Sequence, residues 1–66
     1  MDANALIAAK AAILTLERTG LMTPRAAKAA RKALRAKISE AIAYWGDKGQ
    51  NDIVESLNAA YRAILP

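Results

Sequence analysis

Cysteine and histidine are both missing from this chain of 66 residues. Without cysteine the chain can form neither a disulfide nor a thiolate metal site, which fits a reducing compartment, and we expect a cytoplasmic protein. Without histidine it lacks the commonest general base and the commonest transition-metal ligand. The sequence therefore predicts no catalytic residue, no metal site and no cofactor, and it favours a function other than that of an enzyme.

Large apolar side chains are also scarce. The chain has no phenylalanine and one tryptophan, and 17 of its residues are alanine. A chain of this length buries a modest fraction of its surface, and small domains without disulfides or metals gain stability from close helix packing or from oligomerisation. We expect a single helical domain over residues 1–66, with a thin core that favours a homodimer.

Long hydrophobic runs and targeting signals are missing as well. The longest apolar run, residues 5–16, is interrupted by Lys10 and falls short of the ~20 residues that a membrane-spanning helix needs. The chain begins Met-Asp, without the positive lead-in of a signal peptide. We therefore expect no membrane partner.

Helix signals, by contrast, are abundant. Hydrophobic periodicity predicts a first helix over residues 3–19, with Asp2 as its N-cap and Gly20 as the left-handed residue that ends it. A second helix begins at Pro24, because Thr23 suits the N-cap and proline suits the first helical position. The short connection favours an antiparallel hairpin of helices one and two, and a helix-turn-helix corner is the alternative.

Glycines separate the second helix from the third. The second helix is expected to reach about Trp45 and to stop at Gly46. The third helix has two candidate N-caps, Asp47 and Asp52, each placed three residues before a Gln or Glu as in a capping box, and Gly49 favours the later start. The predicted fold is all-α, a compact three-helix domain that is assembled as a homodimeric helical bundle.

Helix one carries two apolar ridges about a quarter-turn apart. The ridges consist of Leu6, Ala9, Ile13 and Leu16 on one side, and of Ile7 and Leu14 on the other. Lys10 and Glu17 project between them. This pattern indicates either two separate helical neighbours or one broad face from which the charged tips reach outward.

Helix two divides into three sectors on its helical wheel. The core stripe comprises Ala27, Ala30, Leu34, Ile38, Ala41 and Trp45. The basic stripe comprises Arg25, Lys28, Arg31, Lys32 and Arg35. The alanine row comprises Ala26, Ala29, Ala33, Ala36 and Ala43. Alanine permits close approach of a second helix. The expected oligomer interface comprises Ile7, Leu14, Ala26, Ala29, Ala33 and Ala36. The alternative is an exposed row in which alanine merely supplies helix propensity.

The basic stripe is the strongest functional signal. Residues 23–45 hold six Lys or Arg and one Glu, a net charge of +5, whereas the whole chain carries +4. Like charges three or four residues apart repel each other, and cations near a helix N-terminus oppose the macrodipole. Such an arrangement suits an anionic partner. The alternative is a solvated stripe that pairs with acids of neighbouring helices, for which Glu17, Asp52 and Glu55 are candidates.

Two functions fit this stripe. The first is a small interaction module, an adaptor or inhibitor that binds a larger protein through the basic stripe and apolar helix faces. The second is a nucleic-acid-binding regulator that uses the basic helix 24–45. The second fits less well, since helix two has no Asn or Gln to read bases and no aromatic residue between its cations. Tyr44 is a further candidate contact with a partner, while Trp45 lies on the core stripe.

Overall fold

A computed structural model describes residues 2–66, which form three α-helices. Helix α1 spans Ala3–Arg18, α2 spans Pro24–Asp47 and α3 spans Asn51–Ala63. Within the described range there is no β-strand. The prediction of a compact all-α domain of three helices is confirmed.

Capping groups fix both ends of α1. The Asp2 side chain accepts a hydrogen bond from the amide of Ala5 at 3.1 Å. At the other end Gly20 has a φ of +76°, and the amide of Leu21 donates to the carbonyl of Leu16 at 3.0 Å. This is a Schellman motif, in which a left-handed glycine lets the chain satisfy the last helical carbonyls. The predicted limits of the first helix are correct to within one residue.

Helix α2 begins as predicted and ends later. The Thr23 hydroxyl accepts a hydrogen bond from the amide of Ala26 at 3.2 Å, and Pro24 occupies the first helical position. The helix then continues through Gly46 for one more residue, so the predicted stop is wrong. Gly49 has the positive φ, +73°, that ends the helix, and a glycine inside the last turn costs about 1 kcal/mol or less.

Helix α3 starts without a side-chain cap. Its N-cap is Gln50, so neither Asp47 nor Asp52 has the predicted capping role. The amide of Gln50 donates to the carbonyl of Trp45 at 3.0 Å, which completes the turn that ends α2. One residue therefore serves both the end of α2 and the start of α3. Asp52 lies in the first turn of α3 instead, where a negative charge complements the macrodipole.

The buried core lies between α2 and α3. Its fully buried apolar residues are Ala27, Leu34, Ile38 and Ala41, together with Leu57, Ala60 and Ile64. Ile38, Leu57 and Ile64 are the largest side chains without exposed surface. Three of these seven residues are alanine, so small side chains make up much of the buried core. The core is as thin as the composition predicts.

Helix α1 covers this core without completing it. None of its residues Ala3–Arg18 is fully buried. Its half-buried residues that pack against the core include Leu6, Ile7, Ile13 and Leu14. Helix α1 contacts both α2 and α3. Helix α1 therefore has two helical neighbours within its own chain, and residues of both ridges pack against the same core.

The long helix α2 sets the shape of the domain. At a rise of 1.5 Å per residue its 24 residues extend for about 36 Å, close to the longest dimension of 38 Å. Helices α1 and α3, with 16 and 13 residues, each pack along a part of it. Hydrogen bonds place the ends of both shorter helices against the N-terminal half of α2, where the basic stripe lies.

Candidate anion-binding site

The basic stripe divides into two parts in the structure. Arg31 and Arg35 are half-buried, whereas Arg25, Lys28 and Lys32 are exposed. Their positions around α2 explain the division. At about 100° per residue, Arg31 and Arg35 lie about 60° and 100° from the middle of the core stripe, and the other three lie about 120° or more away. The two arginines therefore reach the edge of the core, and the other three cations remain in solvent.

Arg31 connects α2 to the ends of both other helices. Its Nε atom donates to Oε1 of Glu17 at 2.7 Å, and its Nη1 atom donates to the carbonyl oxygen of Leu65 at 3.1 Å. The side chains of Arg31 and Glu17 are 22% and 28% exposed, so their ion pair is partly shielded from water. A shielded, charge-assisted hydrogen bond contributes more to stability than a fully exposed ion pair does.

Arg35 binds the same chain end. Its Nη1 atom donates to the carbonyl oxygen of Ile64, the C-cap residue of α3, at 2.8 Å. The last carbonyls of a helix have no intrahelical donor and form the negative end of its dipole. Two cations of α2 therefore bind the carbonyl end of α3. This structural role accounts for two of the five residues predicted to bind a partner.

Glu17 is the acid that pairs with the stripe. Asp52 and Glu55, the other two candidates, are exposed, and neither forms a salt bridge with another residue in 2–66. The interpretation that neighbouring helices neutralise the stripe therefore holds for Arg31 alone among the described residues.

The exposed cations Arg25, Lys28 and Lys32 have no such compensation. None of them forms a salt bridge with a residue that the structure describes. Lys28 lies three residues after Arg25 and four before Lys32, spacings at which like charges repel by a few tenths of a kcal/mol per pair. An external anion would relieve this repulsion.

A groove of about 320 Å³ opens beside Lys28, Arg31 and Arg35, and we call it the basic groove. Its lining residues are Glu17, Pro24, Lys28, Arg31, Arg35 and Pro66. The end of α1, the start of α2 and the segment after α3 meet there. The three cationic side chains and one carboxylate side chain of the lining have a summed formal charge of +2, and the two prolines add apolar surface. The structure thus brings three residues of the basic stripe together around one concave site.

The residues predicted for the oligomer interface form two groups, one half-buried and one exposed. Ile7 and Leu14 are half-buried and pack against the core of their own chain. The exposed members of the predicted set are Ala26, Ala29, Ala33 and Ala36. The alanine row is therefore a free surface of the single chain, while the two α1 residues are used largely within it.

Tyr44 is a surface residue, as a partner contact would require. Its side chain is 40% exposed, and the Nζ atom of Lys48 lies 4.8 Å from the centre of its ring. The neighbouring Trp45 packs against the core, as predicted, and its ring meets that of Tyr44 edge to face at 5.0 Å. Thirteen residues of helix, or about 20 Å, separate Tyr44 from Arg31, so this surface is distinct from the basic groove.

Some components of the basic groove have no signal in the sequence. The pattern marks Pro24 as a helix start and gives Pro66 no role. The bonds from Arg35 to Ile64 and from Arg31 to Leu65 join residues 29 and 34 positions apart, which no local pattern specifies. The burial of Arg31 does have a signal, namely its place on the helical wheel beside the core stripe.

No three potential metal ligands lie close enough together in residues 2–66 to hold an ion. None of the described helices is long and apolar enough to cross a membrane. The chain matches no protein-family model, no curated protein and no solved structure.

Proposed function

We propose that this protein is a small non-enzymatic interaction module, an adaptor or inhibitor that binds an acidic surface of a larger protein in the cytoplasm. The observation that carries the proposal is the exposure of Arg25, Lys28 and Lys32 without a salt bridge to any described residue. Contacts within the chain account for Arg31 and Arg35 and leave these three unexplained. An acidic partner surface would offset their repulsion and accelerate association.

Apolar surface at the same end of the domain supports a protein partner. Leu21, in the connection before α2, is 79% exposed, and Leu65, whose carbonyl binds Arg31, is 46% exposed. Protein interfaces combine apolar contacts at their centre with polar and charged groups at their rim. Tyr44 offers a further contact farther along α2.

A nucleic-acid partner is the competing assignment, and it fits the groove less well. Electrostatic affinity for a phosphate backbone grows with the number of cations free to neutralise phosphates. Only three cations of the stripe, Arg25, Lys28 and Lys32, are exposed. Helix α2 also has no Asn or Gln to read base edges and no aromatic side chain between its cations on which a base could stack. The protein partner is therefore the assignment that we favour, and nuclease treatment distinguishes it from nucleic acid.

The variant with glutamine at Arg25, Lys28 and Lys32, which we call the stripe variant, is expected to fold normally. The amount of partner that it captures should fall by about tenfold or more, since interface charges of this kind affect association and specificity. The measurement is affinity capture from host extract, with and without nuclease, followed by quantification of the bound proteins. The matched control carries glutamine at Arg18, Lys37 and Arg62, which are also exposed, so that the net charge changes equally.

The two variants and the nuclease treatment distinguish the outcomes. Protein partners that survive nuclease and are lost only from the stripe variant support the proposal. Loss of all bound material after nuclease would assign the stripe to nucleic acid. Equal retention by the stripe variant and its control would reject the stripe as the binding surface.

We further propose that α1 and α2 form an antiparallel hairpin and that two copies of the domain associate. The short connection and the hydrogen bond between Glu17 and Arg31 support the hairpin. Two observations support the dimer: none of the residues Ala3–Arg18 is fully buried, and the alanine row offers a surface that a second helix can approach closely.

Light scattering is expected to give the mass of two chains at micromolar concentration. Ala33→Glu should reduce it to one chain, because a long charged side chain in the alanine row would block the close approach of a second helix and would lose its hydration there. Ser39→Glu, an exposed position on the same helix outside the alanine row, serves as the control and should leave the dimer intact. A single-chain mass for the unmodified protein would contradict the dimer.

A further inference from the structure

The protein itself holds two guanidinium groups in place at the basic groove. Arg31 donates through Nε to Glu17 and through Nη1 to Leu65. Arg35 donates through Nη1 to Ile64. A guanidinium group has five N–H donors, so Arg31 keeps three for another acceptor and Arg35 keeps four. Because both groups are already ordered, a ligand that accepts these hydrogen bonds loses little side-chain entropy on binding.

Lys28 adds a third cation to the same groove. It lies three residues before Arg31, so the two side chains are neighbours on one face of α2. Its side chain is exposed and has no salt-bridge partner in the described part of the chain. The groove therefore combines two guanidinium groups held by hydrogen bonds with one exposed and unpaired charge, an arrangement that favours an anion.

The surroundings favour a carboxylate over a phosphate. Phosphate sites at helix N-termini depend on several free backbone amides. At the start of α2, Pro24 has no N–H group, and the amides of Ala26 and Ala27 are bound to Thr23. The groove therefore lacks the backbone donors that a phosphate site at a helix N-terminus uses, whereas a single carboxylate can accept hydrogen bonds from the guanidinium groups alone.

Apolar groups flank the charged ones. Pro24 and Pro66 line the groove, and Leu65, 46% exposed, directly precedes Pro66. An isolated carboxylate would leave this surface in water, whereas an apolar side chain next to the acid would cover it. A volume of about 320 Å³ lies at the lower end of the range for ligand pockets, which suits a short piece of a larger partner.

We propose that the basic groove receives an acidic side chain, Asp or Glu, from the protein partner, with an apolar residue beside it in the partner's sequence. Arg31 and Arg35 donate hydrogen bonds to the carboxylate, Lys28 neutralises its charge, and the two prolines contact the apolar neighbour. This inference rests on the proposed function and specifies the chemistry of one contact within it.

The test is an NMR titration of the intact protein at low salt, about 50 mM, where exposed charges are weakly screened. The probe is a blocked peptide of alternating Leu and Glu. It is compared with the same peptide carrying Gln for Glu and with inorganic phosphate. We expect the Leu-Glu peptide to shift the Nε–H resonances of Arg31 and Arg35 and the amides of residues 24–35. The other two probes should produce much smaller shifts.

Two single variants show which side of α2 binds the Leu-Glu peptide. Lys28→Gln should weaken binding of the Leu-Glu peptide by about three- to tenfold, the range for loss of one charge contact at a partly desolvated site. Lys37→Gln removes the same charge from the opposite side of α2, about 180° away, and should weaken binding by less than about twofold. Both positions are exposed, so neither change should disturb the fold.

Three results would overturn the inference. Equal weakening by Lys28→Gln and Lys37→Gln would show diffuse attraction in place of a site. Equal shifts with the Leu-Gln peptide would show that the carboxylate is not recognised. Equal shifts with phosphate would show that the groove does not distinguish anions. If one of these occurs while the stripe variant still loses its partner in the capture experiment, the groove assignment alone fails and the proposed function stands.

Discussion

Leu57→Ala is expected to lower the free energy of unfolding by about 2–5 kcal/mol, the usual cost of truncating a buried leucine. Leu57 has no exposed surface, and it belongs to the buried cluster that joins α2 and α3. A domain of this size has a total stability of about 3–10 kcal/mol. The substitution therefore removes a large fraction of the stability, and it leaves a cavity that alanine-rich surroundings fill poorly.

Urea unfolding monitored by far-UV circular dichroism measures this loss, with Leu21→Ala as the control. The control makes the same chemical change at a side chain that is 79% exposed, so its effect should stay within about 0.5 kcal/mol. All proteins should be compared at one concentration, because association stabilises the folded state by mass action. A loss of less than about 1 kcal/mol for Leu57→Ala would contradict the placement of α3 in the core.

The helices themselves follow from local features of the sequence. Asp2 and Gly20 limit α1, and Thr23 with Pro24 starts α2, because each satisfies backbone groups within a few residues of its own position. Where two residues within one turn both suit a helix end, local patterns do not determine which of them ends the helix. Gly46 and Gly49 both suit a helix end, and the structure uses the second.

The candidate site depends on contacts that local patterns do not specify. The basic stripe was evident from its spacing, and its angular position relative to the core stripe already separates Arg31 from the outer cations. The sequence pattern contains nothing that relates Arg35 to Ile64, 29 residues away. That contact depends on how far α3 extends along α2, which is set by the packing of the whole core. The groove could therefore be predicted as a charged surface and not as a concave site.

A second large loss of stability is expected when Arg31 and Arg35 are replaced. Replacing Arg31 and Arg35 together with methionine is expected to lower the free energy of unfolding by about 1–3 kcal/mol, since hydrogen bonds from charged groups contribute about that much and these are partly exposed. Methionine keeps an apolar stem of similar length and a similar helix propensity. The change therefore removes the bonds to Glu17, Ile64 and Leu65 with little change in packing.

The matched control is the double variant Lys28→Met and Lys32→Met, which removes the same charge from the same helix. These lysines form no salt bridge with any residue in 2–66, and their removal relieves repulsion within the stripe. The control should therefore keep the stability of the unmodified protein to within about 0.5 kcal/mol. Equal unfolding midpoints for the two double variants would show that the arginine contacts contribute nothing.

Amide hydrogen exchange identifies the region that opens more often in the variant with methionine at Arg31 and Arg35, which we call the arginine variant. In the folded protein the amides of Ile64 and Leu65 donate within the last turn of α3, whose carbonyl end the arginines bind. Their exchange should accelerate in the arginine variant, because the end of a helix opens locally when the groups that cap it are removed. The amides in the middle of α2 should change only by the global loss of stability. Uniform acceleration of exchange along the whole chain would mean that the arginines stabilise the domain through net electrostatics and do not fix the end of α3. The basic groove would then lack the rigid donors on which its selectivity depends.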